Sequence, residues 1–451
     1  MWSFDFAPAI RGVAGRSSSL PRLPRLPALA VAAACLASAP STAFAQETTL
    51  DALKAQAKGK PADPEAALAL GRALRRAGHY ADALSSLARG VALAPPKSDV
   101  LRTLRWEIAR AHIDGHDLPK AMAACKKLGD MPGQEADGHA CTALSYLIWQ
   151  RATEALAETE LALAREPTNS AAHLAAGYAY ELSLEPKQAE AEYRAASASP
   201  AAVDALLHLG HLLVHEERRD EGVAALRSAV QSDPDGPEPA YELGTALAPA
   251  PESIPLLDRA TRERPTFPEA WLALGTELLR AGVLDRARQA AAAAVKQDSG
   301  SVPAIVLSGR VALAEGRVDD ALAAGKAATK IIANNAAAVL LVADAYARKG
   351  DVDFAVEAYQ GAWGFDHRDP TPLVRASELC HGAGRDTSAR AFGSKAVEEF
   401  PNYAPAWAAL GDALVGQRET AAARDAYRKA LSVSDGVIDR AAVQGKLSAL
   451  P

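Results

Sequence analysis

The sequence repeats itself every 34 residues, and that period restricts the chain to a row of small equivalent units. The stretch "PEAWLALGTELLRAGVLDRARQAAAAAVKQDS" from Pro268 and "APAWAALGDALVGQRETAAARDAYRKALSVSD" from Ala404 share one frame. In each, a Trp is followed by Leu-Gly at +3 and +4, Leu at +7, and Ala at +16 and +23. The frame begins at 268, 302, 336, 370 and 404. Upstream, one unit fits from Pro64 and less regular ones begin near 102, 136, 170, 203 and 237, giving eleven units from 64 to 437. Ala, Leu, Glu and Arg dominate and aromatics are only 5%, so the units are expected to be helical.

The residue types at fixed positions describe how two helices of a unit meet. Gly71, Gly177, Gly210, Gly244, Gly275, Gly309 and Gly411 stand at the eighth position, where the helices are expected to cross most closely. Ala83, Ala155, Ala189, Ala287, Ala321, Ala355, Ala389 and Ala423 face them from the twentieth. Gly78, Gly282, Gly316, Gly350 and Gly384 fall in the turn, where φ > 0 suits glycine. Pro95, Pro167, Pro234, Pro265 and Pro401 stop the second helices.

This pattern resembles the tetratricopeptide repeat family, whose signature is matched in the first unit by Leu70, Gly71, Leu74, Gly78, Tyr80, Ala83, Leu87 and Pro95. The resemblance implies an all-α fold: a right-handed superhelical solenoid of antiparallel helix pairs, with a capping helix over 438–451. No unit buries its apolar face alone, so neighbours must stack. The cap is expected to turn Ile438, Ala442 and Leu447 inward and Asp439, Arg440 and Lys446 outward. The expected organisation is a leader (1–45), a helix and linker (46–63), irregular units one to six (64–267) and regular units seven to eleven (268–437). Unit six is about three residues short and carries Pro249, Pro251 and Pro255, which makes 248–256 the expected kink.

The first 45 residues form a class apart. Arg11, Arg16, Arg22 and Arg25 precede the apolar run "LPALAVAAACLASA", and Ala43-Phe44-Ala45 before Gln46 reads as a signal-peptidase site. Export and cleavage after Ala45 are expected, in a bacterial periplasm or at the outer membrane. A retained anchor and lipidation at Cys35 stay as alternatives. Of the remaining cysteines, only Cys125 and Cys141 are near neighbours; they form either a disulfide or two buried thiols. The net charge of −6 and a pI near 6.0 show no basic stripe, so no nucleic-acid partner is expected.

A search for chemistry finds no P-loop, G-x-S-x-G, C-x-x-C or H-E-x-x-H, and the repeats leave no stretch of catalytic-domain size. The chain is read as a non-enzyme with no cofactor and no small-molecule substrate. Positions 2, 5, 6, 9, 12 and 13 of each first helix share the concave face, where this family usually binds peptides. That face offers Arg72, Arg75 and Arg76 as a basic entrance. It continues with Trp106, Arg110, Leu144, Leu147, Leu174, Tyr178, Glu181, Leu207, His211, His215 and Tyr241, and ends with Arg280, Arg310, Asp344, Arg348, Glu378 and Asp412. The resemblance implies a protein or peptide partner, in envelope assembly, secretion or polysaccharide export, with association to a membrane complex left open. One alternative stands beside it. His208, His211 and His215 are spaced i, i+3, i+7 on one helical face and could bind a metal or sense pH, perhaps with Glu181.

Overall fold

A computed structural model describes residues 43–198, 203–433 and 438–451; the leader ahead of Ala43 lies outside them. The described residues form helices and turns, with no strand among them. After a first helix, Ala43–Gly59, eleven helix pairs follow, from Pro64–Arg76 with Tyr80–Leu93 to Ala404–Gly416 with Thr420–Ser432. Each pair is one repeat, numbered one to eleven below.

The eighth-position glycines stand where the sequence places the closest approach. A Cβ on Gly71 would lie 2.5 Å from the Leu87 side chain, and one on Gly177 or Gly411 would lie 2.4 Å from the ring of Tyr193 or Tyr427. Leu87 and Tyr193 are fully buried, as are the facing alanines Ala83, Ala189 and Ala423. Each such large side chain contributes roughly 1.5–3 kcal/mol by leaving water. The fifteenth-position turn is left-handed, at Gly78 (φ 79°) but also at Gln150 (φ 56°), Leu184 (φ 59°) and Glu217 (φ 64°). Packing of the second helix therefore forces the turn even where no glycine is available, at a local cost of about 1–2 kcal/mol.

Two compact units are present, one up to Thr266 and one from Phe267 to Pro451. In the first, repeats one to six close on themselves. Arg264 Nε donates to the Arg76 carbonyl (2.7 Å) and Thr266 Oγ1 to the Ala77 carbonyl (3.2 Å). Arg76 pairs with Asp233 (3.1 Å), and the helix Ala43–Gly59 packs against Ser253–Glu263. The sixth repeat has helices of only 11 residues each, Pro237–Leu247 and Ser253–Glu263, joined through a cis Ala248–Pro249 bond. Cys125 and Cys141 are bonded (Cα–Cα 5.3 Å), tying the second helix of repeat two to the first helix of repeat three.

In the second unit, the described ion pairs join neighbouring repeats or residues within one, and the widest spans the 34 residues between Asp412 and Lys446. The cap Arg440–Ser448 covers the last repeat. Here one expectation needs correcting: Val443 is the buried residue and Ala442 is exposed. Asp439 caps the helix by accepting from Ala441 and Ala442 N–H, and this rotates Val443 onto Leu410, Leu414 and Tyr427. Ile438 and Leu447 pack beside it, and Lys446 turns to Asp412 (2.7 Å).

Candidate partner-binding groove

The first helices of repeats one to six bring the expected groove residues to the inner face of the first unit, where charge is paired rather than displayed. Arg72 Nε meets Glu107 at 2.8 Å, and Arg75 binds Glu107 (3.0 Å) and Asp114 (2.5 Å). Arg110 reaches across to Asp204 (2.6 Å), 94 residues on, joining repeats two and five. With Arg76 on Asp233, the basic entrance is neutralised by its own chain. Burial alone would raise the Glu107 and Asp204 carboxyls; Arg75 and Arg110 at Glu107, and Arg110 and Arg75 at Asp204, hold both below their usual range. Asp204 in turn raises Arg110, against the burial of the guanidinium itself.

A second cluster surrounds the histidines. Tyr178 is 8% exposed, with its ring 4.2 Å from His208 and 5.8 Å from Tyr193. Tyr193 donates to Glu181 (2.6 Å), and His208 Nδ1 stands 3.7 Å from the same carboxylate. Burial, then Asp204, pushes the Tyr178 phenol well above its usual range. His211 and His215 share a contact of 3.1 Å between their Nε2 atoms; partial desolvation against the surrounding helices, then His215, lowers His211. Glu242, on the facing helix of repeat six, is raised by burial, with His208 opposing and Glu238 adding.

Several expectations change here. Tyr178 and Leu144, at 8% exposed each, and Leu147 at 0% belong to the core cluster that joins repeats two to five, not to a free surface. They are drawn in because the ninth position of repeats three and four, and the twelfth of repeat three, turn into the core of the unit. The three histidines part company, with His208 held among tyrosines and the other two facing each other. Among the described residues, no three His, Cys, Asp or Glu side chains gather as a metal set.

Other expected residues do converge. Trp106, Arg110 and Leu174 line one cleft of about 250 Å³ with Arg102, Asp137, Ala171 and Asp204. Leu207 and Tyr241 are half-buried nearby in sequence register, without a place in that lining. Glu107, Asp114, Asp204 and Glu242 were missed, although they occupy positions 6, 13, 2 and 6 of their repeats. The register that selected the arginines also selects their carboxylates.

Tetratricopeptide repeat models match residues 45–98, 183–237 and 250–302, and a second model of this repeat matches 404–435. Those four stretches carry tetratricopeptide repeats. Among solved structures, the chain is similar to yeast Tom70, at 13% identity over 86% of this chain and 95% of that one (TM-score 0.44). It is also similar to PilF of Pseudomonas aeruginosa, at 20% identity over 45% of this chain and 94% of that one (TM-score 0.42). A third is PilW, a type IV pilus biogenesis factor, at 22% identity over 44% of this chain and 94% of that one (TM-score 0.40). No curated protein matches the chain. Among the described residues, no helix is long and apolar enough to cross a membrane.

Proposed function

We propose that this chain is a non-enzymatic scaffold that holds a peptide or partner protein on the concave face of its helix pairs. We place it in the bacterial envelope, in assembly, secretion or polysaccharide export, after export and cleavage at Ala45. Tetratricopeptide repeats commonly hold protein partners, and the basic leader with its Ala43-Phe44-Ala45 site supports export.

The observation that carries the groove is the cleft at Trp106, Arg110 and Leu174. An aromatic wall and an aliphatic wall around one concavity, beside the exposed Arg102, are the groups that anchor side chains of a partner. The small residues Ala171 and Ala205 leave the space open. Arg72, Arg75, Arg76, Glu181, Leu207, His211, His215 and Tyr241 belong to the same face and would act as its rim. Tyr178 and Leu144 would act beneath it, by fixing the helices.

A photoreactive residue at position 174 tests this reading. Capture of one discrete partner is expected in cells, with loss of that capture on Ala171→Arg, which fills the cleft. An identical yield from the filled variant, or from a control at the outward-facing Leu161, would remove the groove from the account. N-terminal sequencing of the mature protein, expected to begin at Gln46, tests the leader.

A further inference from the structure

We propose that His211 and His215 chelate one divalent transition-metal ion of the zinc class through their Nε2 atoms, on the first helix of repeat five. The site goes beyond the scaffold reading and does not depend on it.

Two histidines four residues apart lie one turn from each other on the same helix face, the spacing by which a helix offers two imidazoles to one ion. The helix Val203–His215 carries both. Their Nε2 atoms lie 3.1 Å apart, with ring centroids at 4.4 Å and ring planes 74° apart. Because the centroids are farther apart than the nitrogens, the rings converge on their Nε2 edges rather than stack. Two ligands on a tetrahedral zinc, each about 2.0–2.1 Å from it, stand about 3.3 Å from each other. The observed separation is close to that edge, so a small rotation of either ring admits the ion. Two protonated Nε2 atoms would set N–H against N–H, so at least one of them keeps its lone pair for a metal.

Other histidines of the chain are partnered differently. His139, His173 and His381 place Nδ1 at 2.7, 2.6 and 2.7 Å from Glu158, Glu192 and Asp386. His208 packs its ring 4.2 Å from Tyr178 and turns Nδ1 toward Glu181, which takes it out of the set. A carboxylate accounts for each of those rings, whereas His211 and His215 meet each other. Among the described residues no third His, Cys, Asp or Glu joins them, and both side chains remain open to solvent. Water therefore fills the remaining positions of the ion, as in zinc sites with few protein ligands. Imidazole nitrogen selects zinc, nickel or copper, while calcium and magnesium require oxygen. Glu181 is near enough to act on His211 and adds the negative charge that a cation favours.

The test titrates the full chain, carrying no added histidine tag, with zinc chloride in a calorimeter at about pH 7.5, where free imidazole is largely neutral. One ion per chain is expected, and calcium chloride should give no binding heat. H211A and H215A should each weaken zinc binding by about a hundredfold, the lower end of what a second donor on one rigid element adds. His208→Gln should bind zinc as the parent does. In thermal melts zinc should raise the Tm of the parent and leave that of H211A and H215A unchanged, since the ion stabilises only the state that binds it. His215 is the last residue of its helix, so H215A carries the test if H211A fails to fold. Absence of zinc binding overturns the proposal. So does parent-like affinity in H211A and H215A with helicity intact, which would show an adventitious ion only. A hundredfold loss in a helical His208→Gln overturns the assignment to these two residues. The groove reading is tested separately, by Ala171→Arg.

Discussion

The two units are built from the same helix pair, yet their inner faces use charge in opposite ways. In repeats one to six the charges reach across: Arg110 to Asp204 over 94 residues, and Arg76 to Asp233. In repeats seven to eleven the described pairs stay local, as in Arg375 with Asp344 and Lys446 with Asp412. There Arg310, Arg348 and Glu378 are exposed, with no ion pair among the described residues. A helix-pair array can therefore either keep its inner charges for a partner or spend them on closing itself. What decides is whether complementary residues recur at groove positions of non-adjacent repeats.

The largest expected break in that comparison is Arg110→Met. It strands Asp204 on the inner face and should destabilise the first unit by about 2–3 kcal/mol, somewhat less than full burial would give because the pair is partly solvated. Arg375→Met in the second unit is the matched change. It should cost only about 0–1 kcal/mol, since Arg375 is 41% exposed and Asp344 keeps the Tyr359 hydroxyl at 2.8 Å. Denaturant melts with a reporter in each unit separate the two effects, and equal losses would erase the distinction.

Between these lies a control on which the units should agree. Gly177→Ala and Gly411→Ala each drive a methyl into a tyrosine ring and should each cost about 1–3 kcal/mol. A clear inequality would show that closure transmits strain in one unit and not in the other.

A smaller effect concerns protons. Burial raises Glu242, so its neutral form favours the fold; that stability is complete below its unfolded value near ~4.3 and is lost as pH rises through the folded value. Glu242→Gln should therefore stabilise the protein at pH 7 and leave it unchanged near pH 4, as read by thermal melts across pH. The lowered Asp204 and Glu107 act in the other direction, with stability present above about pH 4 and lost below it. The smallest effect is that of salt. Raising it to about 1 M should weaken the Arg76–Asp233 contact that helps close the first unit, by under about 1 kcal/mol, because Arg76 is half-exposed.

The helix pairs were legible because sterics at the crossing admit few residues. Gly71, Gly177 and Gly411 with their facing alanines mark the crossing almost unaided. The closure was not legible. Arg110 and Asp204 lie nearly three repeats apart, and a 34-residue frame records only what one unit or its neighbour requires. Tyr178 was placed on the groove for the same reason: its helical position is inner, but closure and Tyr193 bury it. At the cap, the choice between Ala442 and Val443 turned on one N-cap hydrogen bond at Asp439, a rotation that periodicity alone does not fix. The three histidines did share a helix face, but which partners they meet depended on Tyr178 and Glu181 from the preceding repeat.

The most direct test of closure by internal charge is a pair of double-mutant cycles, Arg110→Met with Asp204→Leu and Arg375→Met with Asp344→Leu, measured by denaturant unfolding. The account predicts a coupling of at least about 1.5 kcal/mol for Arg110–Asp204 and well under 1 kcal/mol for Arg375–Asp344. A coupling near zero for Arg110–Asp204 would contradict it, because the two repeats would then meet without needing that pair.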